Sequence, residues 1–336
     1  MASAEKYTSK ELLRDITSIK PRINRYNKRY EYEAYEYDKG IYIVDVGGVK
    51  PKSDGEKDLL LSNFWALFIG TLRDADAGDV VDTGGGSYAL RSSGNVNVDM
   101  AYLVYGSGVD PSYFTQYTLQ SRKGFLASSI VIAYLSDRTR ISVSGILPED
   151  AYEIGVEQGL YDTGGGGHTT LLARTTGSFS RGKAVVYNID FLYPWVRQIA
   201  DLLFGIMINR NVIMIDINGD VFLSRTFADP NAGSVYLVLS SSSVSWSPSL
   251  YSIPSPLTPT SFHNDILGSR SLRTTYIHGV MSPSSDIAVN TVALYQLIFR
   301  SDGSTTTSCH LVIPLSSPVT FYGNKNNLIV LRIIAM

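Results

Sequence analysis

DLLLSNFWALFIGTLRD, residues 58–74, is the stretch on which the reading of this chain turns. It is an apolar run of helical length. WVRQIADLLFGIMINRN at 195–211 resembles it, with Leu67-Phe68 matching Leu203-Phe204. The same features follow each segment in the same order. After the first come Val80-Val81, the turn Asp82-Thr83-Gly84-Gly85-Gly86, and Ser87–Arg91. After the second come Val212–Ile217, the turn Asn218-Gly219, and Asp220–Arg225. Asn-Gly between apolar runs is a strong hairpin signal, because both turn residues take positive φ.

The parallel continues downstream. Ala101-Tyr102-Leu103-Val104 matches Val235-Tyr236-Leu237-Val238, and Pro111-Ser112 matches Pro248-Ser249. GVEQGLYDTGGGGHTTLLAR (155–174) lines up with ALYQLIFRSDGSTTTSCHLVI (293–313), and GKAVVYNIDFLY (182–193) with GNKNNLIVLRIIAM (323–336). A repeat this long is a duplicated domain rather than a solenoid unit. Short strands punctuated by turns, such as Ser129–Tyr134, Arg140–Val143 and Arg273–His278, follow a single helix. The expected fold is therefore mainly β, with two tandem β-sandwich domains of jelly-roll or immunoglobulin-like type, each preceded by a short apolar helix. They span 59–196 and 197–336, after an N-terminal helical and extended arm over 1–58.

In the arm, Tyr7–Ile19 reads as a helix ended by Pro21. Lys20, Arg22, Arg25, Lys28 and Arg29 form a basic run, and Glu31, Glu33, Glu36 and Asp38 follow at once, interleaved with four Tyr. Such blocks pair with each other or with a neighbouring subunit. The sharper reading is contact with nucleic acid through phosphate neutralisation, which the adjacent acids weaken. Tyr42–Val46 reads as a strand and Gly47–Gly55 as a loop.

Composition narrows the function classes. The 336 residues are 44% hydrophobic and 18% charged, with 22 Tyr against 3 Trp. Few charges and many Tyr suit half-buried sheets and subunit contacts. The net charge of -2 points to neither nucleic acid nor an anionic membrane. One cysteine, Cys309, excludes an intrachain disulfide and a Cys-rich metal site. The start has no apolar signal segment, and the apolar stretch Ile199–Ile217 carries Asp201, Arg210 and Asp216. The expectation is a protein made in the cytoplasm, with no transmembrane segment.

Asp-Thr-Gly occurs at 82–84 and at 162–164. In pepsin-like proteases two such loops meet and their carboxylates share a proton. Here both lie in the first repeat, and their second-repeat counterparts, Asn218-Gly219 and Asp302-Gly303, are plain turns. The expected role is structural: Asp starts each turn and Gly takes the positive φ, leaving a flexible tip. His168, after Gly164–Gly167, reads as an exposed loop residue. Glu149, Asp150, Glu153 and Glu157 read as a solvated cluster, with a divalent cation site as the alternative. No catalytic, metal or cofactor residues are expected. Tyr113, Tyr117, Trp246 and Tyr251, beside the paired Pro-Ser loops, are the candidate interface or receptor contacts.

Ala151-Tyr152-Glu153-Ile154-Gly155-Val156, a Gly-rich turn, Leu171-Leu172-Ala173-Arg174, and Gly182 before Val185–Phe191 together resemble a pattern in β-sandwich virion structural proteins of tailed phages and archaeal viruses. The pattern covers about 90 residues of the first repeat and is fainter in the second, in Val292-Ala293-Leu294, Asp302-Gly303, Leu311-Val312-Ile313 and Pro318–Tyr322. The resemblance implies a virion protein that assembles with itself and with other virion proteins into a capsid, vertex, tail or adaptor ring or shell. It carries no functional residues. The alternative is a glycan- or receptor-binding module, followed by a hydrolase with an unrecognised site.

Overall fold

The computed structural model describes residues 4–6, 41–53, 58–72, 77–91, 98–225, 235–257, 266–269 and 274–334. The chain is mainly β. Its first elements are β1 (Ala4–Lys6), β2 (Ile41–Val46), β3 (Val49–Ser53), β4 (Leu59–Leu60) and the helix α1 (Ser62–Leu72). A hairpin of β5 (Ala77–Val81) and β6 (Ser87–Leu90) follows, then β7 (Tyr102–Gly106), β8 (Arg122–Phe125) and β9 (Ser129–Tyr134). Next come β10 (Thr139–Ile146), β11 (Ala151–Tyr161), β12 (Gly167–Phe179), β13 (Ala184–Phe191) and the helix α2 (Arg197–Ile208). The hairpin β14 (Ile213–Ile215) and β15 (Val221–Leu223) precedes β16 (Tyr236–Ser240), β17 (Pro256–Leu257) and β18 (Ile266–Ser269). The last strands are β19 (Thr274–Met281), β20 (Ile287–Phe299), β21 (Thr305–Phe321) and β22 (Asn327–Ile334).

Four larger sheets carry these strands. One has the order β4-β12-β11-β7-β8 and another the order β17-β16-β20-β21. Reversed, the second becomes β21-β20-β16-β17, which follows the first position for position from β12 to β8. Even the register irregularities agree, falling between Val156 and Glu157 in β11 and between Leu294 and Tyr295 in β20. The other two sheets have the orders β3-β13-β10-β9 and β1-β2-β22-β19-β18. The resemblance ends at one edge, where β3 runs antiparallel to β13 but β2 runs parallel to β22. Below, "first half" means β3–β13 with α1, and "second half" means α2 onward.

Residues 41–53, placed in the arm by sequence, supply β2 and β3 to these sheets. Val49–Ser53 is a strand and not a loop. Its Lys50-Pro51-Lys52 centre suits an edge, where Pro has no ladder bond to lose on its outer side and Lys discourages further pairing. The expected helix at 7–19 lies outside the described residues.

The halves are clasped together. One hydrophobic cluster runs from Val46 to Ile333 and includes residues of both helices and all four large sheets. At its centre the Phe68 and Trp195 rings meet edge to face at 5.0 Å. Each helix also ends on the opposite half. Gln158 Nε2 of the first half donates to the Ile206 carbonyl of α2 at 2.8 Å, and Gln296 Nε2 of the second donates to the Thr71 carbonyl of α1 at 3.0 Å. Likewise the Ala101 N–H reaches the Met207 carbonyl and the Val235 N–H the Leu72 carbonyl. The last carbonyls of a helix have no partner within it, so these contacts finish each helix with donors from the other half. No helix among the described residues is long and apolar enough to cross a membrane.

Candidate functional site

The two Asp-Thr-Gly sequences form the turns of the β5–β6 and β11–β12 hairpins, and the fold places them side by side. Backbone bonds from Thr83 N–H to the Thr169 carbonyl and from Thr163 N–H to the Ala89 carbonyl lock the hairpins together. Their location in one half therefore did not keep them apart. Within each turn Asp does the expected work: Asp82 Oδ1 accepts from the Gly84 and Gly86 amides, and Asp162 Oδ1 from the Gly166 amide. Positive φ falls on Gly85, Gly165, Gly219 and Gly303, one in each of the four turns. The tips are thus tied, not loose.

His168 joins the two turns. Its Nδ1 lies 3.1 Å from Asp82 Oδ2 and its Nε2 3.1 Å from Asp162 Oδ2. The ring is stacked on Tyr88 at 4.2 Å between centroids, and the Tyr88 hydroxyl bonds Thr170. His168 is therefore a half-buried brace, where sequence placed it exposed on a loop. Burial lowers its pKa, but the hydrogen bonds to Asp162 and Asp82 outweigh that and hold it above the usual 6.5. Burial raises Asp82, yet the His168 bond and the Gly86 and Gly84 amides bring its carboxyl below the usual range. The His168 bond and the Gly166 amide do the same for Asp162. An aspartic dyad needs two carboxylates sharing a proton, with their pKa values driven apart. Here an imidazole separates the carboxylates and both are lowered, so the pair is not such a dyad.

The second half builds the same corner from different groups. Asp216 occupies the turn position of Asp82, with its Oδ1 accepting from the Asn218 and Asp220 amides. Arg300 stands where Asp162 does, as the matching bridges Leu90–Asp162 and Ser224–Arg300 show. Arg300 Nη2 lies 3.0 Å from Asp216 Oδ2, and Thr306 Oγ1 donates to the same oxygen at 2.8 Å. The Arg300 guanidinium lies over Phe222 at 5.4 Å, as His168 lies on Tyr88.

Behind the first tip, a buried ion pair holds the loop between β7 and β8. Glu153 and Arg174 are 0% and 1% exposed. Arg174 Nε donates to Glu153 Oε2 at 2.9 Å, and Nη2 makes an ionic contact with the same oxygen at 2.8 Å, off the hydrogen-bonding angle. Glu153 also accepts from the Gly108, Gln120 and Ser121 amides. Arg174 Nη1 reaches the Asp110 carbonyl, Ser112 Oγ and Gln116 Oε1. The expected solvated carboxylate cluster is thus corrected: Glu153 and Glu157 point into the buried strand β11, Glu157 paired with Arg122, while Glu149 pairs with Lys123 and Asp150 accepts from the Arg181 amide. β11 is an inner strand of its sheet, and a carboxylate there needs a partner. Among the described residues no group of three or more His, Cys, Asp or Glu is arranged to hold a metal ion.

The four candidate aromatics fall in two equivalent loops. Tyr117 packs on Gly85 of the first tip at 3.6 Å from where a Cβ would sit, and Tyr251 packs on Gly219 of the second at 3.5 Å. Trp246 donates to the Pro194 carbonyl and meets Tyr193 edge to face. Tyr113 is 56% exposed. The arm candidates Lys20, Arg22, Arg25, Lys28 and Arg29 lie outside the described residues. Sequence reading missed His168, Arg174 and Glu153 as a group. Its only signal was the Glu-Ile-Gly and Leu-Leu-Ala-Arg pattern itself, whose charged members are this ion pair. No family model, no curated protein and no solved structure matched the chain.

Proposed function

We propose that this chain is a structural subunit of a virus particle, built from two copies of one sandwich unit fused around a shared core, and that it assembles with itself into a ring or shell. The observation that carries the self-assembly reading is the free edge of β9. The strand reads Ser-Ile-Val-Ile-Ala-Tyr, followed by Leu135, with neither charge nor proline, and among the described residues it is laddered on one side only, to β10. Val131, Tyr134 and Leu135 are exposed beside it. Among the other described edges, β3 carries Lys50, Pro51 and Lys52, β8 Arg122 and Lys123, β17 Pro256 and β21 Pro314 and Pro318, while the shorter edges β18 (Ile-Leu-Gly-Ser) and β4 (Leu-Leu) carry neither charge nor proline. Proteins blunt edge strands with charge and proline because an unpaired apolar edge templates pairing with another chain. β9 is the longest described edge strand that carries neither charge nor proline, and so the one best suited to strand addition by a second copy.

Two further points support the reading: the agreement in strand order and in reciprocal helix contacts between the halves, and the resemblance of the 151–156, 171–174 and 182–191 stretches to virion sandwich proteins. The competing reading, a glycan- or receptor-binding module, has one exposed aromatic in each loop, Tyr113 in the first and Tyr251 in the second, since Tyr117 and Trp246 are committed within the chain. Light scattering and negative-stain microscopy of the purified chain test the proposal. Closed oligomers are expected, and Val131→Lys on the exposed face of β9 should return them to monomers with an unchanged circular dichroism spectrum. A wild-type chain that stays monomeric at high concentration would refute self-assembly.

A further inference from the structure

The two tips differ in one chemical respect that sets them apart functionally. In the first, both ring nitrogens of His168 face carboxylate oxygens at 3.1 Å. A neutral imidazole has one N–H and one lone pair, whereas the imidazolium has two N–H donors. Only the imidazolium satisfies both carboxylates. On losing the proton, one of the two 3.1 Å contacts sets a lone pair against a carboxylate. In the second tip the equivalent oxygen of Asp216 is held by Arg300 and Thr306, and neither loses a proton in the neutral range.

We propose that the first-half tip is a proton-operated clasp, in which protonated His168 ties the Asp82 and Asp162 side chains together and deprotonation releases one of them, leaving that turn on its backbone bonds alone, while the Asp216–Arg300 tip stays shut. The charged and titratable groups facing the ring are Asp82 from the β5–β6 turn, Asp162 from the β11–β12 turn and Tyr88 from β6. The freed turn is the one on which Tyr117 rests if Asp82 is released, because that ring lies against Gly85. The clasp therefore couples proton binding to the loop that carries the exposed Tyr113.

Nuclear magnetic resonance of the full chain tests this. The His168 ring should titrate with a midpoint above 6.5, with both nitrogens protonated below it. Each pH unit above 6.5 corresponds to about a tenfold change in the ratio of closed to open clasp. Amide protection at Gly86 or Gly166, corrected for the intrinsic exchange rate, should fall as pH rises through that midpoint, while protection at Asp220 stays constant. Transplanting the second tip, as the double variant D162R/H168T, should remove the pH step. A His168 midpoint at or below 6.5 would overturn the proposal. So would equal loss of protection at both tips, or none at either, and these readings need only the wild-type chain if the double variant does not fold.

Discussion

Replacing Arg174 with Met should destabilise the chain by about 3–5 kcal/mol, the usual result of removing one partner of a buried ion pair. The guanidinium is 1% exposed, and Glu153 behind it 0%. Met fills most of the volume, so the loss is chiefly electrostatic. Glu153 would keep the Gly108, Gln120 and Ser121 amides but lose its only countercharge. The Asp110 carbonyl and Gln116 Oε1 would lose a donor at the same time. The second half indicates how the cost can be recovered. Arg174 pairs across from Gly155, and Val312 pairs across from Ala293. Glu153 lies opposite Gly106 and Thr291 opposite Ser240, so Thr291 and Val312 occupy the places of the ion pair. The double variant E153T/R174V should therefore lose less than the two single variants combined, by at least about 1 kcal/mol. Urea denaturation at pH 7 reads both quantities, and limited proteolysis between residues 107 and 121 reads release of the loop. A single-variant cost below about 1 kcal/mol, or strict additivity of the pair, would refute the argument that Glu153 and Arg174 hold each other.

Two further outcomes follow from buried polar groups. Asp201 on α2 accepts from the Tyr134 hydroxyl and from Arg197, but burial outweighs both and raises its pKa to about 6. Its folded value exceeds the unfolded 3.8, so the folded chain binds the proton more tightly and stability falls as pH rises from about 4 to about 6. The difference is worth about 2–3 kcal/mol; urea midpoints measured across that range should lose this slope in Asp201→Asn, and an unchanged slope would assign the effect to another group. Gln296→Leu should cost about 1–3 kcal/mol, because it takes away the side-chain donor of the Thr71 carbonyl, and Gln158→Leu should cost less, because the Ile206 carbonyl keeps the Asn209 amide. Calorimetry should show a single transition in both variants, and two separate transitions would mean that the halves unfold independently.

What could be read from the sequence was what is local. Asp82, Asp162, Asn218-Gly219 and Asp302-Gly303 declare their turns within four or five residues, and the positive φ lands on the predicted glycines. The two helices and the strands after them follow from short apolar runs. The clasp could not be read in this way, since His168 and Asp82 are 86 residues apart. Glu153 and Glu157 misled because their neighbours Glu149 and Asp150 are surface residues, and a mixed cluster reads as uniformly solvated. Strand β3 was hidden because Lys-Pro-Lys is loop chemistry everywhere except on a sheet edge.

The sequence places a boundary near Trp195, but what the sequence did not show is that the chain changes motif there without changing core. Trp195 sits against Phe68 of α1, and its own helix ends on Gln158 of the first half. A sequence divides where its pattern restarts, but a fold divides where contacts thin out, and here the restart lies inside the shared core. That arrangement also explains where the halves have diverged. The reciprocal glutamines Gln158 and Gln296 face the other half, where a change in one half takes a donor from a helix end of the other. The tips face solvent and answer to nothing across the junction. His168 with two aspartates can therefore stand at one tip while Arg300 and Thr306 serve the other, two corners of one shape of which the first alone holds a group that titrates near neutrality.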